Sequence, residues 1–151
     1  MPPATAARPQ GCTNFKTRQL SRLLSRHYDA ELAACGLKTT QYSLLSHVVQ
    51  LGPIAPGELA RRMGLDASTL TRNLQPLLAA GWLLQDAGPD ARTRSIRLTD
   101  SGRAKQVEAR RCWKTAQLKV NDVLGSERVA ALHALIDDTA VQPNAAADVD
   151  L

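Results

Sequence analysis

The sequence predicts a mainly α fold, α+β in class, in which one short β-hairpin interrupts a run of helices. From residue 14 to about 138 apolar residues recur at spacings of three and four, the period of a helix with one buried face. Between Gly81 and Thr99 that period lapses into two short extended runs around Gly88, Pro89 and Asp90, residue types that make tight turns. A length of 151 residues, with 44% hydrophobic and 22% charged side chains, suits one ordinary globular domain with its own core.

The domain is expected over residues 14–141, with mobile tails over 1–13 and 142–151, where periodicity is absent. The first helix, about 14–35, carries the stripe Phe15, Leu20, Leu23, Leu24, Tyr28 and Leu32, stops at Gly36, and has Lys16, Arg18, Arg22 and Arg26 as its basic side. Thr39 or Thr40 is expected to cap a second helix bearing Tyr42, Leu44, Leu45, Val48 and Val49, which ends at Gly52-Pro53. Pro56 suits the first turn of a short third helix, Glu58 to Met63, because its missing N–H would have no partner there. Asp66 can cap a fourth helix from Ala67 to about Ala80. Trp82–Ala87 and Ser95–Leu98 then form the hairpin. Thr99 or Asp100 starts a long fifth helix, running to about Val123; Gly125 breaks it, and Ser126 caps a last helix with Val129, Leu132, Leu135 and Ile136. There is no internal repeat.

The third and fourth helices meet the steric demands of a helix-turn-helix at three points: a small Ala60 where the helices cross, Gly64 in the turn, and Leu70 pointing back into the shared core. A hairpin directly after such a pair makes a winged helix-turn-helix over about residues 39–99. The exposed first turns of the fourth helix hold Ser68, Thr69, Thr71, Arg72 and Asn73, short hydroxyls suited to phosphates and groove edges and a guanidinium able to reach two acceptors on guanine. Arg61 and Arg62 fit either a DNA backbone or plain solvent. Asp90, Arg92, Arg94 and Arg97 crowd the hairpin, and the negative potential of a narrow minor groove favours an inserted Arg. Asp90 is expected to hold Arg92 through a carboxylate–guanidinium pair.

The stretch from Glu58 through Leu65, then Ser68-Thr69-Leu70-Thr71-Arg72, then Leu77 with Gly81-Trp82-Leu83, and finally Asp90-Ala91-Arg92 leading to Leu98-Thr99-Asp100-Ser101-Gly102, resembles the MarR family of bacterial regulators over about residues 14–138. The resemblance implies homodimers built by the first, fifth and sixth helices. It also implies recognition helices in successive major grooves, wings in minor grooves, and ligand or thiol chemistry near the junction of the two parts that releases an operator. The long terminal helices, 14–35 and 100–138, point the same way, since a small winged domain cannot cover all of Leu20, Leu23, Leu24, Val129, Leu132, Leu135 and Ile136. Two-fold symmetry implies a pseudo-palindromic duplex operator with half-sites roughly 34–36 Å apart.

Charge supports a polyanionic partner. The net +5 understates the body, because Asp137, Asp138, Asp148 and Asp150 follow the last basic residue and leave 19 basic against 10 acidic side chains over residues 1–136. No apolar run approaches membrane-spanning length and no secretory signal is visible, so a cytoplasmic protein without a membrane partner is expected. The odd, scattered cysteines Cys12, Cys35 and Cys112 are not a disulfide framework. No phosphate-binding glycine loop, nucleophile elbow or carboxylate cluster suggests an enzyme, and no cofactor or metal site is expected.

Three effector readings stand. A small aromatic ligand would be lined by His27, Tyr28, Tyr42 and His47. An oxidant would act on Cys12, at a helix start near Lys16 and Arg18, together with Cys112 on the fifth helix, which in a dimer would run near the other subunit's first helix, an arrangement similar to the two-cysteine peroxide sensors of the same family. Cys35 reads as a small buried hydrophobe. A soft metal or metalloid held by the thiols lacks any supporting spacing.

Overall fold

The structure, a computed structural model, describes residues 8–140 except 89 and 91. The tail expected over 142–151 lies outside the described residues, as do residues 1–7, Pro89 and Ala91. In chain order the elements are α1 (Thr13–Leu32), a 3-10 turn (Ala33–Cys35), α2 (Thr39–Leu51), α3 (Pro56–Met63), α4 (Ala67–Ala79), β1 (Leu83–Ala87), β2 (Arg94–Leu98), α5 (Asp100–Leu124) and α6 (Ser126–Ala140). Among the described residues, no helix is long and apolar enough to cross a membrane.

The core is built from α2, α3, α4 and the hairpin: Leu44, Leu45, Leu59, Leu70, Leu77, Leu83 and Ile96 are fully buried. Ala60 and Leu70 are buried where α3 and α4 meet, and Gly64 ends α3 at φ 63°, the left-handed conformation the turn requires. The hairpin strands pair antiparallel from Leu83 opposite Leu98 to Ala87 opposite Arg94. Ile54 adds a bridge that the sequence pattern does not announce. Its N–H donates to the Ile96 carbonyl at 3.0 Å and its carbonyl accepts from Ile96 N–H at 2.8 Å, which fastens the wing to the segment before α3.

Side-chain caps start α4 and α5, and two expected caps are corrected, the first being Ser126, which is already the first residue of α6 with Gly125 before it. Asp66 and Thr99 cap α4 and α5, accepting from Thr69 N–H at 2.7 Å and Gly102 N–H at 3.0 Å. At α2, by contrast, Lys38 is the N-cap and Thr39 is already helical; Gln41 Oε1 accepts from Lys38 N–H at 2.8 Å. Thr39 N–H donates to Asp29 of α1 at 2.6 Å, so a tertiary acceptor does what a local hydroxyl was expected to do. The hydroxyl of Thr99 also donates to the Gly81 carbonyl at 2.7 Å, tying the start of α5 to the turn that precedes the wing.

The long helix α5 joins the two halves. Its small residues Ala109 and Ala116, with Val120 one turn on, are buried. Cross-links flank this seam: Tyr28 O–H donates to Gln117 at 2.6 Å, Lys119 pairs with Glu31, and Tyr42 stacks on Trp113 at 6.1 Å between ring centroids. Val129, assigned by sequence to surface needing a partner, is instead buried within the chain, whereas Leu23, Leu135 and Ile136 do stay exposed.

Candidate nucleic-acid interface

The second helix of the helix-turn-helix is α4, and its first turn is organised around one carboxylate. Asp66 accepts from Ser68 Oγ at 2.6 Å, from Thr69 N–H at 2.7 Å and from Thr69 Oγ1 at 2.8 Å, and these bonds hold its carboxyl well below the usual carboxylate range. Thr71 Oγ1 donates to the Ala67 carbonyl at 2.8 Å. The three hydroxyls singled out from sequence are therefore donors to their own helix, and offer an outside partner their lone pairs. Asn73 is half-buried, while Arg72 is exposed and makes no ion pair or side-chain hydrogen bond among the described residues.

The other arginines of this face divide into paired and unpaired. Glu58 accepts from Arg61 at 2.6 Å and Arg62 at 3.0 Å, which lowers its pKa to about 2. Arg97 pairs diagonally across the hairpin with Asp86. Arg92 and Arg94 are exposed, with no carboxylate partner among the described residues.

The ion pair expected between Asp90 and Arg92 is not formed. Asp90 supports the wing through its main chain instead, its carbonyl accepting from both Thr93 N–H and Thr93 Oγ1 at 2.9 Å. These bonds fix the main chain of Asp90 against Thr93 and leave the Asp90 and Arg92 side chains at the surface.

The sign of the pH dependence follows from these contacts. The folded-state pKa values of Glu58 and Asp66 lie below their unfolded values of about 4. Their contributions are therefore full above that range and are lost as pH falls through it toward the folded values. Circular-dichroism melts from pH 6 to pH 3 are expected to show a falling midpoint in the wild type. In Asp66→Asn the fall should be shallower, the two curves converging at the acid end, because Asn keeps a capping oxygen but cannot titrate.

A cavity of about 560 Å³ lies between α2 and α5. It gathers three of the four residues named as ligand lining, Tyr28, Tyr42 and His47, and adds Trp113, Arg110 and Gln106, which sequence reasoning did not single out. His47 Nδ1 bonds the Ser43 carbonyl at 2.7 Å. His27 does not join them: it faces a separate apolar recess with Leu23, Leu24, Val120 and Val123. A second, apolar cleft of about 800 Å³ between α1 and α6 is lined by Leu20, Leu24, Leu132, Leu135 and Ile136.

The three cysteines fall into one exposed position and one close pair, with Cys35 buried as expected. Cys12 is exposed at the start of α1, whereas Cys112 lies with its Sγ 2.8 Å from Sγ of the buried Cys35 in the same chain. Among the described residues, no group of three or more His, Cys, Asp or Glu is placed to hold a metal ion.

Comparison with known proteins agrees with this architecture. The sequence profile of the MarR family matches residues 36–93, from the turn before α2 to the wing. The HTH-type transcriptional regulator YwoH of Bacillus subtilis is 29% identical over 90 residues, 60% of this chain and 66% of YwoH, just under two thirds of that relative. Escherichia coli MarR in its apo form shares the fold, with a TM-score of 0.70 at 21% identity, covering 87% of this chain and 98% of that one. The Mycobacterium tuberculosis transcriptional regulator MosR, solved in complex with DNA, is 34% identical, with a TM-score of 0.75, covering 89% of this chain and 99% of MosR. Identity at that level along almost all of MosR extends the match from the helix-turn-helix and wing to both long terminal helices, and the chain belongs to the MarR family of transcriptional regulators.

Proposed function

We propose that the chain acts as a homodimeric repressor that grips a pseudo-palindromic duplex through α4 and the wing and lets go when a small aromatic anion fills the cavity between α2 and α5. The observation that carries the DNA reading is the division among the arginines. Arg61 and Arg62 share the single carboxylate of Glu58 and Arg97 is paired with Asp86, whereas Arg72 on α4 and Arg92 and Arg94 on the wing face solvent with no carboxylate partner among the described residues. Uncompensated cations at this spacing suit phosphates and groove edges. MosR, which was solved with DNA, supports the same partner.

A second copy is the natural cover for the apolar surface of the terminal helices, where Phe15 is 60%, Leu118 65% and Leu135 65% exposed. The effector reading rests on the stacked Tyr42 and Trp113, a platform for an aromatic ring, with the Arg110 guanidinium at the same cavity for a carboxylate.

Titration of labelled upstream genomic fragments by fluorescence anisotropy tests both parts. Binding should weaken by about 10³-fold or more between roughly 50 and 200 mM salt. An aromatic carboxylate should quench Trp113 and raise the apparent Kd about tenfold, an effect that Arg110→Ala should reduce. Salt-insensitive binding would sink the DNA reading. Quenching that leaves the operator complex intact would sink the effector reading.

A further inference from the structure

We propose that Cys35 and Cys112 form a dithiol site that a hydroperoxide converts to an intramolecular disulfide, a chemical input separate from the α2–α5 cavity. The sulfurs are 2.8 Å apart, although 77 positions separate the residues in sequence. Cys35 belongs to the 3-10 turn that leads into α2, and Cys112 to the middle of α5. A bond between them would fasten the winged part directly to the long helix that runs out toward the terminal helices. Because the sulfurs already lie inside van der Waals distance, closure to about 2.05 Å asks for a movement of less than an ångström.

The surroundings distinguish the two thiols. Cys35 is 5% exposed, and burial, with Cys112 beside it, pushes its pKa up to about 11. Cys112 is half-buried, so it is the sulfur a small oxidant reaches. Lys105 donates to the Cys35 carbonyl at 3.0 Å and favours negative charge at Cys35, but the nearby Glu108 opposes it more strongly, so Cys35 stays protonated until it attacks in the second step.

In the first step the Cys112 thiolate attacks the outer peroxide oxygen and the O–O bond breaks. That oxygen leaves on Cys112 as sulfenic acid, and the departing alkoxide or hydroxide takes up the proton Cys112 had released. Cys35 then gives up its proton and attacks the Cys112 sulfur; the S–S bond forms, the S–O bond breaks, and the hydroxide leaves as water with that proton. Two thiols are oxidised by two electrons and one hydroperoxide is reduced to an alcohol, or to water, plus water.

The test uses the full-length wild-type protein and hydrogen peroxide, with alkylation under denaturing conditions followed by non-reducing tryptic mapping. Titratable thiols should fall from three to one per chain. A cross-linked species should join the peptide of residues 27–38 to that of residues 112–114, with Cys12 alkylated. Cys12→Ser, at an exposed position outside the core, should form the same cross-link at an unchanged rate. A disulfide-linked dimer through Cys12 would overturn the proposal. So would Cys112 driven to sulfinic acid beside a reduced Cys35, or retention of all three thiols in excess peroxide.

Discussion

Gly102→Ala is expected to cost about 3 kcal/mol or more of stability, shifting the urea midpoint down at fixed protein concentration with little change in slope. A Cβ at this position would sit 2.8 Å from the Trp82 carbonyl carbon and closer still to its oxygen, with Leu98 Cδ1 at 3.0 Å. The decisive obstacle is the Trp82 main chain; the half-buried Leu98 side chain on the other side can shift, but the carbonyl cannot. The same residue supplies the N–H that Thr99 Oγ1 accepts at 3.0 Å, while Thr99 N–H donates to the Trp82 carbonyl at 3.1 Å. Pushing α5 away from Trp82 would therefore break the cap and the wing base together. Gly57→Ala is the control: it lies in α3 with nothing within 4 Å of its would-be Cβ, and Ala there should be neutral or mildly stabilising. Equal losses in both variants would mean that helix propensity, and not the contact with Trp82, governs the first.

That contact gives physical content to the Leu98-Thr99-Asp100-Ser101-Gly102 pattern. Thr99 is the cap, Gly102 is small enough to let the cap seat, and Leu98 closes the hairpin beneath. Helix boundaries were legible wherever the chemistry is local in this way, as with Pro56 and Gly64 around α3 and Asp66 before α4. Where the partner came from afar, the pattern was silent. Asp29 took the role given to a threonine hydroxyl at α2, Ile54 reached across to Ile96, and Cys112 met Cys35; none of these pairs shares an element or a period. The diagonal pair of Asp86 and Arg97 is an intermediate case, since the hairpin register places them two positions apart across the strands once the turn length is fixed.

The candidate site was legible by residue type more than by role. Tyr28, Tyr42 and His47 converge because α1 and α2 present them to α5. Arg110 and Trp113 carry no such signal, because the fifth helix has charge and apolar residues all along its length and only packing shows which face meets α2. His27, one residue before Tyr28, necessarily points about 100° away around the same helix and so joins the recess with Leu23 and Val123.

Arg72→Ala is expected to weaken operator binding by about 1–3 kcal/mol per recognition helix, roughly 5- to 150-fold, and to erase most of the preference at one base pair of each half-site. The size follows from what the free protein has already arranged. Asp66 fixes the first turn of α4 through three hydrogen bonds, so the helix meets a groove preformed, and Arg72 has no carboxylate to abandon before it binds. Arg61→Ala should behave differently, because Glu58 already holds its guanidinium at 2.6 Å and the loss of that pair offsets whatever a phosphate would return. Arg94→Ala, on the wing, should weaken binding to all sequences alike and lower the salt slope by about one, without altering base preference. Competition titrations with base-substituted duplexes separate these outcomes. A loss in Arg72→Ala that is uniform across duplexes would move Arg72 from base reading to backbone contact. A loss in Arg61→Ala as large as that in Arg72→Ala would show that the Glu58 pair opens on DNA, and that the paired arginines belong to the interface as well.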